Sequence, residues 1–170
     1  MKKVVDSSIS GSKKIILVLH DIRSNHNVGS LFRTADCVGV SEVILSGYTP
    51  TPIDKFNRSV KEIAKTALGA ENSVSWRHEK DIKKTLKNFK KENFKIIAIE
   101  QSENSVDYKK VKINKKKENI VIILWNEVDG APKNLLKMCD VVVEIPMKGK
   151  KESLNVSVAG AVAMFRMLGV

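Results

Sequence analysis

Three segments of the chain gather side chains able to grip a phosphate, orient a hydroxyl or accept a proton. The first, residues 21–36, contains Asn27, Gly29 and Arg33. With about 100° of turn per helical residue, Arg33 projects opposite a Leu31/Ala35/Val38 stripe, on the side of Gly29 one turn earlier. Its planar fork suits a phosphate or carboxylate, and the missing side chain of Gly29 leaves room for a backbone or phosphate to come close. The same spacing also allows an intrahelical pair with Asp36 and a plain capping role for Asn27. The second segment, residues 124–132, puts Asn126 and Glu127 at the end of an apolar run, followed by Asp129-Gly130. An amide and a carboxylate there suit the polar groups of a ligand, although Asp-Gly is also an ordinary turn. The third, residues 143–157, leaves an apolar run through Ile145, Met147 and a basic loop with Lys148, Lys150 and Lys151. It enters an apolar helix through Ser153 and Asn155, where backbone N–H groups lack helical partners; a bland reading makes Ser153 a cap and the lysines solvated.

The elements that position these segments are legible as apolar runs. Residues 15–19, 43–45, 96–99, 120–124 and 141–145 are short, continuous Ile/Val/Leu stretches, as expected of strands covered on both faces. Helical patterns fall between them: residues 27–38, closed by Gly39; residues 79–93, amphipathic with a Lys face; a helix starting near Pro132; and residues 154–168. The alternation predicts an α/β fold with a mostly parallel sheet flanked by helices. Each chemistry-bearing segment then sits at a strand-to-helix junction, where open α/β sheets gather ligands. The last helix is apolar around nearly its whole circumference, so both its sides call for cover, by a central core position or by a homodimer contact. Residues 49–57 read as a loop, and Lys115-Lys116-Lys117 as a solvated turn.

At 170 residues with 42% hydrophobic content the chain is expected to form one domain, 1–170, with residues 1–13 a flexible lead-in. Thirty Lys plus Arg against nineteen Asp plus Glu give a net charge of +11, which attracts polyanions and makes nucleic acid the natural partner. All but five of the thirty are Lys, so solubility alone is the competing explanation. Cys37 and Cys139 lie far apart without metal-ligand spacing, which argues against a disulfide framework or a metal site and for a reducing, cytoplasmic setting. Neither a signal peptide nor a bilayer-spanning run is present in the pattern, so no membrane is expected. The absence of GxxxxGK[ST] and of GxGxxG after the first strand argues against a nucleotide-dependent metabolic enzyme. His20, His26 and His78 are scattered and read as bystanders.

Taken in order, the three segments resemble the SpoU (TrmH-type) branch of the SPOUT RNA methyltransferases. The similarity is carried by Asn27-Val28-Gly29 with Arg33-Thr34-Ala35, by Asn126-Glu127 with Gly130, and by Ile145-Pro146-Met147 leading to Ser153-Leu154-Asn155-Val156-Ser157. The intervening run 65–70 also matches, so the resemblance extends over residues 15–168. It implies a C-terminal deep trefoil knot, S-adenosylmethionine as cofactor, and transfer of a methyl group to a ribose 2′-hydroxyl of RNA. It further implies catalytic roles for Arg33, Asn27, Glu127, Ser153 and Asn155. Leu124, Trp125, Gly130, Ile145, Met147, Ser153 and Leu154 would contact the cofactor, and Arg23, Arg33, Lys148, Lys150 and Lys151 the RNA. The family forms homodimers through the last helix, in agreement with its all-round apolar pattern; small relatives often modify transfer RNA and others ribosomal RNA, which slightly favours transfer RNA as the substrate. Trp125 stands where the family typically has glycine. An indole there would obstruct the cofactor, turn away or stack on the adenine, and obstruction would leave a non-catalytic RNA-binding module as the alternative.

Overall fold

A computed structural model describes residues 13–126 and 130–170. Seven strands form one parallel sheet: β1 (Ile15–His20), β2 (Glu42–Ser46), β3 (Ser75–Glu79), β4 (Phe94–Ile99), β5 (Val106–Asp107), β6 (Asn119–Trp125) and β7 (Val141–Glu144), in the order β3-β2-β1-β6-β4-β7-β5. The helices are α1 (Asn25–Val38), α2 (Lys61–Ala67), α3 (Ala70–Ser73), α4 (Ile82–Lys91), α5 (Lys133–Leu136) and α6 (Val156–Leu168). The expected α/β class and parallel sheet are therefore present. Because every pairing is parallel, all strands end on one edge of the sheet.

The continuous apolar runs are explained by burial on both faces. Leu17, Leu19, Ile122 and Leu124 pack with α1, α2 and α6 in one core, while Ile16, Val18, Val121, Ile123 and Trp125 pack with α4 and Leu135 in the other. All five expected strands form, each with slightly different ends. The edge strands β3 and β5 do not announce themselves, because β3 reads Ser-Trp-Arg-His-Glu and β5 has two residues. An edge strand faces water enough to carry polar side chains.

Several helix boundaries are corrected. α1 begins two residues before Asn27, and Ser24 is its cap, accepting from Asn27 N at 3.3 Å. Gly39 ends it in the left-handed conformation (φ 76°), as anticipated. α4 starts only at Ile82, after Asp81 caps it by accepting from Lys84 N, and Glu79 belongs to β3. α6 starts at Val156 with Asn155, not Ser153, as its cap. One side of α6 is buried through Val156, Gly160, Ala163, Met164 and Met167, and Val158, Val162 and Phe165 form an exposed apolar stripe on the other. Gly160 permits the close approach: a Cβ there would lie 2.7 Å from the side-chain ends of both Leu31 and Leu124. No helix among the described residues is long and apolar enough to cross a membrane. The lead-in, but for Lys13, and the site residue Glu127 lie outside the described residues.

Candidate active site

At the edge where the strands end, the exits of β4, β6 and β7 enclose a cleft. Leu124, Trp125 and Gly130 border it from the β6 side; Ile145, Met147, Ser153 and Leu154 border it from the segment between β7 and α6. All seven residues expected to contact a cofactor thus share one lining. Gly130 takes a left-handed conformation (φ 64°) that glycine tolerates at no steric cost, and its N–H donates to Asn126 O at 3.1 Å. The Glu100 carboxylate accepts from Ala131 N at 2.9 Å and from Gln101 N at 2.8 Å, fastening the β6 exit to the β4 exit. Gln101 Nε2 donates to Glu152 O at 2.6 Å, fastening the β7–α6 segment to the same place.

Glu100 and Gln101 were not among the sequence-based candidates, nor were the cleft residues Ile99, Glu144, Val156 and Ala159. A signal existed for the first two: a polar pair directly after a buried strand of a parallel sheet occupies the position where such folds place ligand contacts.

The first segment joins the third through one contact. Asn155 Nδ2 donates to Asn27 Oδ1 at 3.2 Å, while Asn155 Oδ1 accepts from Ser157 N at 2.9 Å and Ser157 Oγ at 2.6 Å. Asn27 is therefore tied to the entry of α6 instead of capping α1. Arg33 lies six residues further along α1, about 9 Å at helical rise, and does not border the cleft. It is exposed and forms no ion pair among the described residues, since Asp36 instead accepts from Ser73 Oγ at 2.9 Å. The expected opening beside Gly29 is absent. Gly29 is buried where α2 crosses α1, and a Cβ on it would collide with Thr66 Oγ1 and the Ile63 carbonyl. Thr66, within the family-like run 65–70, seals this crossing by donating to His26 O at 3.0 Å. Arg23 lies 5.6 Å over the Tyr48 ring, and Lys148, Lys150 and Lys151 are exposed on the segment leading to α6.

Strand parity sets the side that Trp125 faces. Leu124 faces the α1/α6 core, so its neighbour faces the α4 core, where the indole is 3% exposed and edge-on to His20 at 5.6 Å between ring centroids. Its Nε1–H has no hydrogen-bond partner there. His20 is fixed by Ser46 Oγ at Nδ1 (2.9 Å) and Asp21 at Nε2 (3.3 Å). Burial pushes its pKa below the ordinary value, against the opposing pull of the Asp21 charge. Among the described residues no cluster of His, Cys, Asp and Glu has the makings of a metal site.

The fold is a parallel α/β domain with a cleft at its strand ends. Residues 14–165 match the SpoU rRNA Methylase family, and the chain belongs to that family. It is 30% identical over 169 residues to the 23S rRNA (guanosine-2′-O-)-methyltransferase RlmB of Xylella fastidiosa, an alignment covering 97% of this chain and 61% of that one. It is similar to the AdoMet-bound rRNA methyltransferase of Sinorhizobium meliloti (TM-score 0.78, 25% identity, 92% of this chain and 56% of that one). The TrmH/SpoU tRNA modifying enzyme of A. aeolicus is similar to the same degree (TM-score 0.78, 25% identity, 93% and 77%).

Proposed function

We propose that this chain is an S-adenosylmethionine-dependent RNA methyltransferase that acts on a ribose 2′-hydroxyl. The carrying observation is the convergence of all seven motif-derived cofactor contacts on one cleft at the strand ends of a SpoU-family domain. Its chemistry fits the donor: Leu124, Ile145, Met147 and Leu154 offer apolar walls, and Ser153, Glu100, Gln101 and Asn126 offer polar groups for a nucleoside. Trp125 packs among the core residues of the opposite face, which favours a donor-accepting cleft over a donor-blocked, non-catalytic module.

S-adenosylmethionine, when bound, supplies an electrophilic methyl group. The protein's own part is positional. Asn27 and Asn155 fix the α1 and α6 entries relative to each other beside the cleft. Arg33 holds the phosphate next to the target ribose through its planar fork and stabilises negative charge developing on the attacking oxygen. Because Arg33 does not border the cleft of its own chain, it serves the cleft of a second copy in a homodimer. The exposed Val158/Val162/Phe165 stripe on α6 supports such a contact. The knot and a cytoplasmic setting belong to the same reading. Ser153 and Glu127 complete the catalytic group. Relatives divide between ribosomal and transfer RNA, so the lean toward transfer RNA gains no support.

Two measurements test this. Isothermal titration with S-adenosylmethionine should show binding, and nucleoside mass spectrometry of RNA from a strain lacking the gene should show one missing 2′-O-methyl mark. An intact set of marks would overturn the proposal.

A further inference from the structure

The loop between β2 and α2 holds two aromatic rings out in water on rigid supports. Thr49, buried, donates to Leu19 O at 2.9 Å and accepts from Ile22 N at 3.1 Å, which pins the loop to β1. Its neighbour Tyr48, whose N–H donates to Asp21 Oδ1 at 3.1 Å, is left 59% exposed. Six residues on, Asp54 closes a small hairpin by accepting from Phe56 N (2.8 Å), Arg58 N (3.0 Å) and Arg58 Nε (2.8 Å), with an antiparallel bridge between Ile53 and Ser59 behind it. Phe56 stands at the tip, 62% exposed.

Cations accompany both rings. Arg23 sits 5.6 Å from the Tyr48 ring centre; Lys55 and Arg58 sit 5.0 and 4.9 Å from that of Phe56. Exposed aromatics interleaved with cations are what unpaired nucleic-acid bases stack on, the rings taking the bases and the cations the backbone. A second copy of this chain is a poor occupant, since it would set the same cations against themselves. The loop follows β2, two strands from β6 and so about 10 Å along the edge that carries the cleft.

Building on the reading of this chain as an RNA-modifying enzyme, we infer that Tyr48 and Phe56 are a stacking platform for unpaired bases flanking the target nucleotide. The substrate is thereby a single-stranded loop or an opened segment, not a continuous duplex.

The test compares binding of a short labelled single-stranded RNA and a duplex of the same length by fluorescence anisotropy. Tyr48→Ala and Phe56→Ala should each weaken single-strand binding about tenfold while leaving duplex affinity unchanged. Tyr48→Phe and Phe56→Tyr should bind as the parent does. Alanine variants that bind single strands like the parent, or that lose duplex affinity equally, would overturn the platform. Calorimetry with S-adenosylmethionine separates the two readings: a parent protein that takes no donor, yet shows the ring-dependent loss, leaves the platform standing and removes methyl transfer.

Discussion

Asn155 donates its side-chain amide to Asn27 Oδ1 at 3.2 Å, which links the entry of the last helix to the first turn of the first across 128 positions. The same side chain caps α6 through its oxygen. The two jobs separate by substitution. Asn155→Ala should cost about 1 kcal/mol, the usual worth of a cap, whereas Asn155→Asp keeps the accepting oxygen and should melt close to the parent while losing methyl transfer. Thermal melts paired with a methylation assay decide, and an Asp variant as unstable as the Ala one would show that the cap is not what Asn155 contributes.

Gly29→Ala sets two effects against each other. Helix propensity favours alanine by about 1 kcal/mol, but the new methyl would collide with Thr66 Oγ1 and the Ile63 carbonyl. Backbone cannot swing aside as a side-chain end does, so a net loss of about 1–3 kcal/mol is expected in urea unfolding. Adding Thr66→Ala should recover only part of it, because the carbonyl remains.

Arg33→Ala removes an exposed side chain that makes no ion pair among the described residues, so stability should shift by no more than about 0.5 kcal/mol. Single-turnover methylation should fall far more than RNA affinity. Arg33→Lys should fail to restore the rate, because an ammonium lacks the bidentate fork. A uniform loss of affinity with an unchanged single-turnover rate would remove Arg33 from the reaction centre.

His20 gives the fold a pH dependence of defined sign. Its pKa is lowered in the folded protein, chiefly by burial, so between the folded and unfolded values the unfolded chain binds the extra proton. Stability is therefore full above the ordinary imidazole value near 6.5 and declines as pH falls below it toward the folded value. Urea titrations across that window should show the decline in the parent and a weaker one in His20→Gln. An imidazole NMR titration at or above the ordinary value would contradict it.

What the sequence reveals depends on how local the cause is. Strands buried on both faces show as unbroken Ile/Val/Leu runs, and so β1, β2, β4, β6 and β7 are legible. β3 is not, because its outer edge lets Arg77 and Glu79 pair with each other at the surface. The crowding at Gly29 is illegible for a different reason. Periodicity tells which side of α1 faces inward, yet the atoms that fill the space belong to α2, more than thirty residues away. Trp125 lies between these cases: alternation puts its side chain on the face opposite that of Leu124, but which of the two meets the α4 core depends on the register of β6. Residues of the second and third motifs line the cleft because each motif lies at a strand exit, while Glu100 and Gln101, outside any motif, share that lining only through the order of the strands.

The parallel sheet also has an edge that faces away from the cleft. The strands begin at the edge opposite the cleft, where the Lys115–Lys117 turn, closed by Lys117 N to Asn114 O at 2.9 Å, leads into β6. A fluorophore or surface tether grafted onto that turn would leave both the cleft and the Tyr48/Phe56 loop facing solution, making it the natural handle for single-molecule work on this protein.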